Sequence, residues 1–216
     1  VAHVENEFKI EVVSIETPPQ GMSSSVFFVK TSNDKEYAVK YGNDAMKDIP
    51  ALDLISKEHI DIPVPALLGS FIFEQVPVVI LEKVQFPLLE SVPVEDMSKY
   101  VPSMISNLRN LHTITSAFPG LLTEPVNDKT WKEMMLDIFT NQFDWNEVAG
   151  REGLDTDLIL TSVEKMKKKI NDADFEGVGY SLLHTDFNQR NLFVNPQTHE
   201  IAGIIDWEDA MFGDSL

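Results

Sequence analysis

Asp186 and Asn191 stand five residues apart in the run His184-Thr185-Asp186-Phe187-Asn188-Gln189-Arg190-Asn191-Leu192, and Asp206 follows the apolar stretch Ile201-Ala202-Gly203-Ile204-Ile205. Two carboxylates and a carboxamide are thereby set between short apolar strands. Oxygen donors from two different segments can hold a hard divalent cation, while a remaining carboxylate accepts the proton of an attacking hydroxyl. This is the equipment of phosphoryl transfer. Asp and Asn are also ordinary turn residues. The conjunction of His184, Asp186, Asn191 and Asp206 at the ends of apolar runs is what favours chemistry over a plain turn.

Lys40 belongs to the strand-like segment Glu36-Tyr37-Ala38-Val39-Lys40-Tyr41. Alternate residues of a strand share a face, so Ala38 and Lys40 point one way and Tyr37 and Val39 the other. A small Ala leaves room for a flat base and the ammonium can reach phosphates, although a lysine at a strand edge is ordinarily solvated. On this reading Lys40→Met impairs turnover and leaves the fold intact, because a strand tolerates the apolar replacement. Gln20-Gly21-Met22-Ser23-Ser24-Ser25 is rich in small residues whose amides and hydroxyls can approach phosphates closely. Val79-Ile80-Leu81-Glu82-Lys83-Val84 ends the sheet-like part, and its backbone could hydrogen-bond an adenine edge. His112, ending an apolar helical stripe, reads as packed; His184 reads as ordering the turn that holds Asp186. No nucleophile elbow or zinc spacing is present.

With 216 residues, 43% of them hydrophobic, the chain can bury a substantial core as one large domain or two small lobes. It has no cysteine, which excludes disulfides, thiolate metal sites and a cysteine nucleophile. Its apolar runs fall far short of the ~20 residues of a membrane span. The N-terminus lacks the basic segment and apolar run of a signal peptide, so a cytoplasmic location is expected. Thirty-five acidic against 17 basic residues give a formal charge of -18, spread along the chain. That balance argues against nucleic acid and favours a cationic small molecule, though plain solubility explains it equally well.

The elements that would position these residues change character near the middle. Phe8 to Val13, Ser25 to Lys30, Glu36 to Tyr41, Leu67 to Phe73 and Val76 to Val84 read as strands of a small antiparallel sheet. A helix is expected over about Ala45 to His59, its start blurred by Pro50, before the extended Asp61-Ile62-Pro63-Val64-Pro65. From Val94 the period becomes helical: Met97, Val101, Met104, Ile105, Leu108, Leu111 and His112 form one stripe, and Trp131, Met134, Met135, Ile138 and Phe139 another. A third helix is expected near Asp155 to Ile170. Its terminal lysines read as a solvated helix end.

The run His184 to Asn191, then Ile205-Asp206-Trp207-Glu208 and Gly213-Asp214, resembles the aminoglycoside phosphotransferase and choline kinase-like family, and the likeness extends over nearly the whole chain. The resemblance implies an α+β, two-lobed, protein-kinase-like fold, with an antiparallel β-sheet N-lobe over 1–84 ending in a hinge and a mainly helical C-lobe over 85–216. It further implies transfer of the γ-phosphate of ATP or GTP to a hydroxyl of a small molecule such as an aminoglycoside-like antibiotic, with Mg2+. Asp186 corresponds to the catalytic base and Asn191 and Asp206 to the metal ligands. Lys40 corresponds to the residue on the phosphates. Gly21, Ser23, Ser24 and Ser25 match the nucleotide loop, Ala38 the base-facing position, and Glu82 and Val84 the hinge. Three departures stand out. Thr185 replaces the family's usual Gly, no helical Glu is an evident partner for Lys40 (Asp48, Asp53 and Glu58 are candidates), and Leu216 comes soon after Asp214, as in a truncated product. The alternative is therefore a non-catalytic, kinase-like nucleotide-binding or interaction protein with an incomplete acceptor site.

Overall fold

The computed structural model describes residues 11–17, 25–124, 129–142, 144–151, 153–173, 175 and 179–215. The chain divides into two compact units. One comprises 1–114 and 184–210, the other 115–183 and 211–216.

The first unit is organised by a five-stranded antiparallel sheet in the order β1-β2-β3-β5-β4, from β1 (Val12–Glu16), β2 (Ser25–Thr31), β3 (Glu36–Tyr41), β4 (Leu67–Phe73) and β5 (Val76–Glu82). Thr31 to Lys35 closes the β2–β3 hairpin, with the Thr31 amide donating to the Lys35 carbonyl at 2.9 Å and Asp34 at φ 61°. The alternation read from β3 is realised. Tyr37 and Val39 face Val29, Val78 and Ile80 in a buried cluster, while Ala38 and Lys40 pair across to Leu81 and Val79 on the opposite face. Each such aliphatic side chain contributes roughly 1.5–3 kcal/mol of burial, which pins the register and hence the side on which Lys40 emerges.

A 3₁₀ turn, Ala45–Asp48, runs directly into α1 (Ile49–Glu58). Pro50 falls in the first turn, where a missing N–H costs nothing. Ala51, Leu52 and Ile55 form the buried stripe, and His59 ends the helix in a left-handed conformation at φ 52°. The helix α2 (Val101–Leu111) buries Asn107 and Leu111 behind Tyr100. This corrects the stripe read from the sequence: Val101 and Ile105 are 44% and 45% exposed, because the inward face is set by Tyr100 and Leu111 and the apolar stripe is wider than the surface it packs on.

In the second unit, α3 (Trp131–Asp137) starts with a capping box between Thr130 and Glu133 and runs into a π-turn, Ile138–Gln142. Then come α4 (Trp145–Ala149) and α5 (Thr156–Asp172), capped by the side chains of Asp144 and Asp155. Short strands β6 (Thr115–Ser116), β7 (Gly120–Leu121), β8 (Tyr180–Leu183) and β11 (Met211–Gly213) make a small sheet in the order β6-β8-β11-β7. Trp131 packs so closely on Gly213 that a Cβ there would lie 2.5 Å from the indole. The remaining hairpin, β9 (Leu192–Asn195) with β10 (Glu200–Ile204), belongs to the first unit and flanks the motif residues.

Candidate active site

The turn between β8 and β9 is held almost entirely by its own polar side chains. Asp186 accepts the Asn191 amide nitrogen on one carboxylate oxygen at 2.8 Å and the Asn188 amide nitrogen on the other at 2.7 Å. The Asp186 carbonyl also accepts from Asn191, at 3.0 Å. Among the described residues all the Asn191 side-chain bonds thus use its nitrogen, leaving its oxygen as the group a hard cation would take. The Ile205 amide donates to the Asn191 carbonyl at 3.0 Å, which ties this turn to the segment carrying Asp206.

His184 lies behind both segments, 2% exposed. Its Nε2 donates to the Ile205 carbonyl at 2.9 Å and its Nδ1 accepts the Asp186 amide at 3.3 Å, a pair of contacts that only the neutral Nε2–H tautomer satisfies. Burial depresses its pKa below 6.5, outweighing the opposing pull of the Ile205 carbonyl and of Asp206 and Asp186. Its ring packs on that of Trp207, 1% exposed, at a centroid distance of 4.4 Å.

Lys40 sits opposite, 7% exposed, with its Nζ 2.9 Å from Asp48 Oδ2, 3.1 Å from Asp206 Oδ1 and 3.4 Å from Glu208 Oε2. Burial alone would lower its pKa, but Asp48 and Asp206 more than reverse that, so the ammonium is held far above its usual range. Asp48 is 3% exposed; burial pushes its carboxyl up, against the pull of Lys40 and the Trp207 N–H. Of the three candidate partners for Lys40, Asp48 is therefore the one that meets it. It stands just before α1, where an Asp ordinarily caps the helix, yet makes no capping bond. Its second oxygen, Oδ1, accepts the Trp207 N–H at 2.8 Å. One buried carboxylate thus joins β3 to the loop of Asp206, which itself adopts φ 68°. The sequence offered no signal for that second bond, nor for the proximity of Glu208 to Lys40, because both arise from residues about 160 positions apart.

Thr185 adopts φ 69°, a left-handed conformation in which a β-branched residue is strained and Gly is not. Its hydroxyl is shared between the His184 carbonyl at 2.7 Å and the Asp209 carbonyl at 3.1 Å. At the end of β5 the amides of Glu82 and Lys83 donate to the carbonyls of Ala66 and Glu36, and the Val84 side chain packs against Gly203. Gly21, Ser23 and Ser24 lie outside the described residues, and Ser25 opens β2. Among the described residues no cluster of three or more metal-ligating side chains forms a ready-made metal centre, and no helix is long and apolar enough to cross a membrane.

Residues 14–216 match the model of the phosphotransferase enzyme family, APH. The chain belongs to this family. As a family member it has the α+β, protein-kinase-like architecture, with an antiparallel sheet in the N-terminal lobe and a mainly helical region after it. The crystal structure of aminoglycoside phosphotransferase APH(4)-Ia is similar with a TM-score of 0.76 at 17% identity, over 99% of this chain and 72% of that one. A thermostable mutant of it in ternary complex with AMP-PNP and hygromycin B has a TM-score of 0.75 at 17% identity, with the same coverage. The streptomycin-ATP-APH(2")-IIa complex has a TM-score of 0.63 at 19% identity, over 99% of this chain and 71% of that one. No curated protein matches the sequence significantly.

Proposed function

We propose that this phosphotransferase moves the γ-phosphate of ATP or GTP to a hydroxyl of a small, cationic molecule of the aminoglycoside kind. The observation that carries this reading is that Lys40, Asp48 and Asp206 form one ion-paired cluster in the same unit in which Asp186 and Asn191 are locked together. Similar proteins bind such ligands: AMP-PNP with hygromycin B in one, ATP with streptomycin in another. The charge of -18 favours a cationic acceptor at low salt.

In this reading Lys40, kept protonated by its carboxylates, lies on the nucleotide phosphates, with Ala38 facing the base and Gly21 to Ser25 as the loop over the phosphates. At the hinge formed by Glu82 and Val84, an adenine edge has to use groups other than the Glu82 and Lys83 amides, which are already bonded. The Asn191 oxygen and the Asp206 carboxylate are hard donors suited to Mg2+, and a site of so few protein ligands fits a metal that arrives with phosphates. When bound, Mg2+ would supply positive charge across the phosphate oxygens. Asp186 accepts the proton of the acceptor hydroxyl as its oxygen bonds to the γ-phosphorus and the bond to the β–γ bridging oxygen breaks, releasing the nucleoside diphosphate. Asn188 and Asn191 orient that carboxylate.

The test compares nucleotide affinity with single-turnover transfer from labelled ATP and GTP to hygromycin B and streptomycin. Asp186→Asn is expected to bind magnesium nucleotide nearly as the parent does and to lose transfer by at least ~10²-fold. Equal transfer rates in parent and variant would remove Asp186 from the chemistry. Nucleotide binding by the parent without transfer to any hydroxylated acceptor would select the non-catalytic alternative.

A further inference from the structure

We propose that the groove between α1 and the segment Ile60 to Leu67 binds a small amphiphilic cation, an apolar body carrying one protonated amine. The groove has a volume of about 570 Å³, within the roughly 300–1,000 Å³ of small-molecule sites. It shares no residue with the cluster around Lys40. Its floor is apolar: Leu52, Ile55 and Ile62 are 4%, 2% and 7% exposed, with Val64 beside them.

The rim carries the charge. Asp53 and Asp61 line it, His59 is the other titratable lining group, and no lysine or arginine is among the described lining residues. An apolar floor under two carboxylates matches an apolar body with a positive head and repels an anion of the same shape.

The walls are built in advance. The Asp61 carbonyl accepts the Asn110 side chain at 3.1 Å, the Pro63 carbonyl accepts the Ile204 amide at 2.8 Å, and the Ala66 carbonyl accepts the Glu82 amide at 2.9 Å. Pro63 and Pro65 hold the intervening backbone extended. A ligand therefore has little backbone to order on entry, which keeps the cost of binding low.

The groove also bears on the nucleotide. Leu52 follows Asp48 by four residues in a continuous helical run, so an occupant that shifts α1 shifts the carboxylate holding both Lys40 and the Trp207 N–H. Binding stands independently of the phosphotransfer reading; its effect on nucleotide rests on it.

Amide chemical shifts of the full chain, without nucleotide, are followed during titration with 2-phenylethylamine, 2-phenylethanol and phenylacetate. The amine is expected to give saturable shifts at Ile55, Ser56, Ile60 and Val64, with the alcohol weaker by about five-fold and phenylacetate weaker still. The surface variant Asp53→Asn/Asp61→Asn is expected to bind the amine about five-fold more weakly, as two exposed charges allow. Absence of saturable shifts in the groove, equal affinity for the three probes, or undiminished amine binding by the variant would each overturn the site. Calorimetry with magnesium ADP at saturating amine should give at least a two-fold change in nucleotide affinity, and an unchanged value would overturn the coupling. Because the groove is read without nucleotide, failure of ADP to bind at all would tell against the phosphotransfer reading alone.

Discussion

Replacing Lys40 with Met should destabilise the protein severely at neutral pH and only mildly in acid. From the sequence the strand tolerates Met; in the structure the cost falls on Asp48, which is 3% exposed and loses its cation while keeping, among the described residues, the Trp207 N–H alone. Breaking a buried pair by removing one partner costs about 3–5 kcal/mol. The carboxyl can limit that loss by taking up a proton. From its ordinary value of 3.8, protonation costs about 4.4 kcal/mol at pH 7 and about 1.6 kcal/mol at pH 5, and these are ceilings on the penalty. Burial already raises the Asp48 carboxyl in the parent against the pull of Lys40; without that pull it rises further in the variant, so the folded variant takes up its proton at higher pH than the folded parent and gains stability relative to it as pH falls through that window. His184, whose folded pKa is depressed, costs parent and variant alike as pH falls below 6.5, and cancels in their difference. Urea unfolding followed by circular dichroism at pH 7, 6 and 5 measures this directly. The expected deficit is about 3–4 kcal/mol at pH 7, or roughly 6–16 °C in Tm for a chain of this size, falling below about 2 kcal/mol at pH 5. Lys40→Met combined with Asp48→Asn should recover most of the loss, since Asn still accepts from Trp207. A deficit under about 1 kcal/mol at pH 7, or one that does not shrink with acid, would refute the argument.

Asp206→Asn should weaken magnesium-ADP binding sharply while preserving the left-handed backbone that Asn tolerates better than Ala; calorimetry giving parental affinity would take Asp206 out of the site. Thr185→Ala should cost about 0.5–1.5 kcal/mol, because it keeps the φ 69° strain and loses the hydroxyl bonds. Thr185→Gly should be nearly neutral in the same unfolding assay, the relief of strain offsetting the lost bonds and the looser unfolded chain. Gly203→Ala should cost about 1–3 kcal/mol, since its Cβ would lie 2.8 and 2.9 Å from the two Val84 methyls, and Val84→Ala in the same chain should restore stability.

The legible part of this fold was the part encoded locally. Four strands, the first helix and the turn from His184 to Asn191 announce themselves through alternation, turn residues and spacing, and the sheet register then decides the side on which Lys40 emerges; the first strand, read over Phe8 to Val13, instead spans Val12–Glu16 and shares only two residues with that reading, Phe8 to Ile10 lying outside the described residues. Asp48 could only be placed among three candidates, because pairing across eight residues of irregular chain is decided by packing, and its bond to Trp207 spans 159. The two-residue strands β6 and β7 are too short to carry a period. Val101 and Ile105 satisfied a helical period without being buried, since periodicity reports which residues share a face and not how wide a partner that face meets.

The unit that holds the candidate site is not contiguous in the chain: it closes only when 184–210 joins 1–114. A ribosome that has finished the N-terminal sheet must still make about 70 residues of the other unit before His184 appears, a delay of about 4–14 s at roughly 5–20 residues per second. Throughout that interval the nascent sheet has Lys40 and Asp48 but neither the Trp207 amide nor the Asp206 carboxylate to complete their bonding. The half-made unit is an exposed apolar sheet with an unfinished polar centre, the kind of surface that chaperones hold. Production of this protein should depend on how fast the middle of the message is read as much as on the stability of the finished fold.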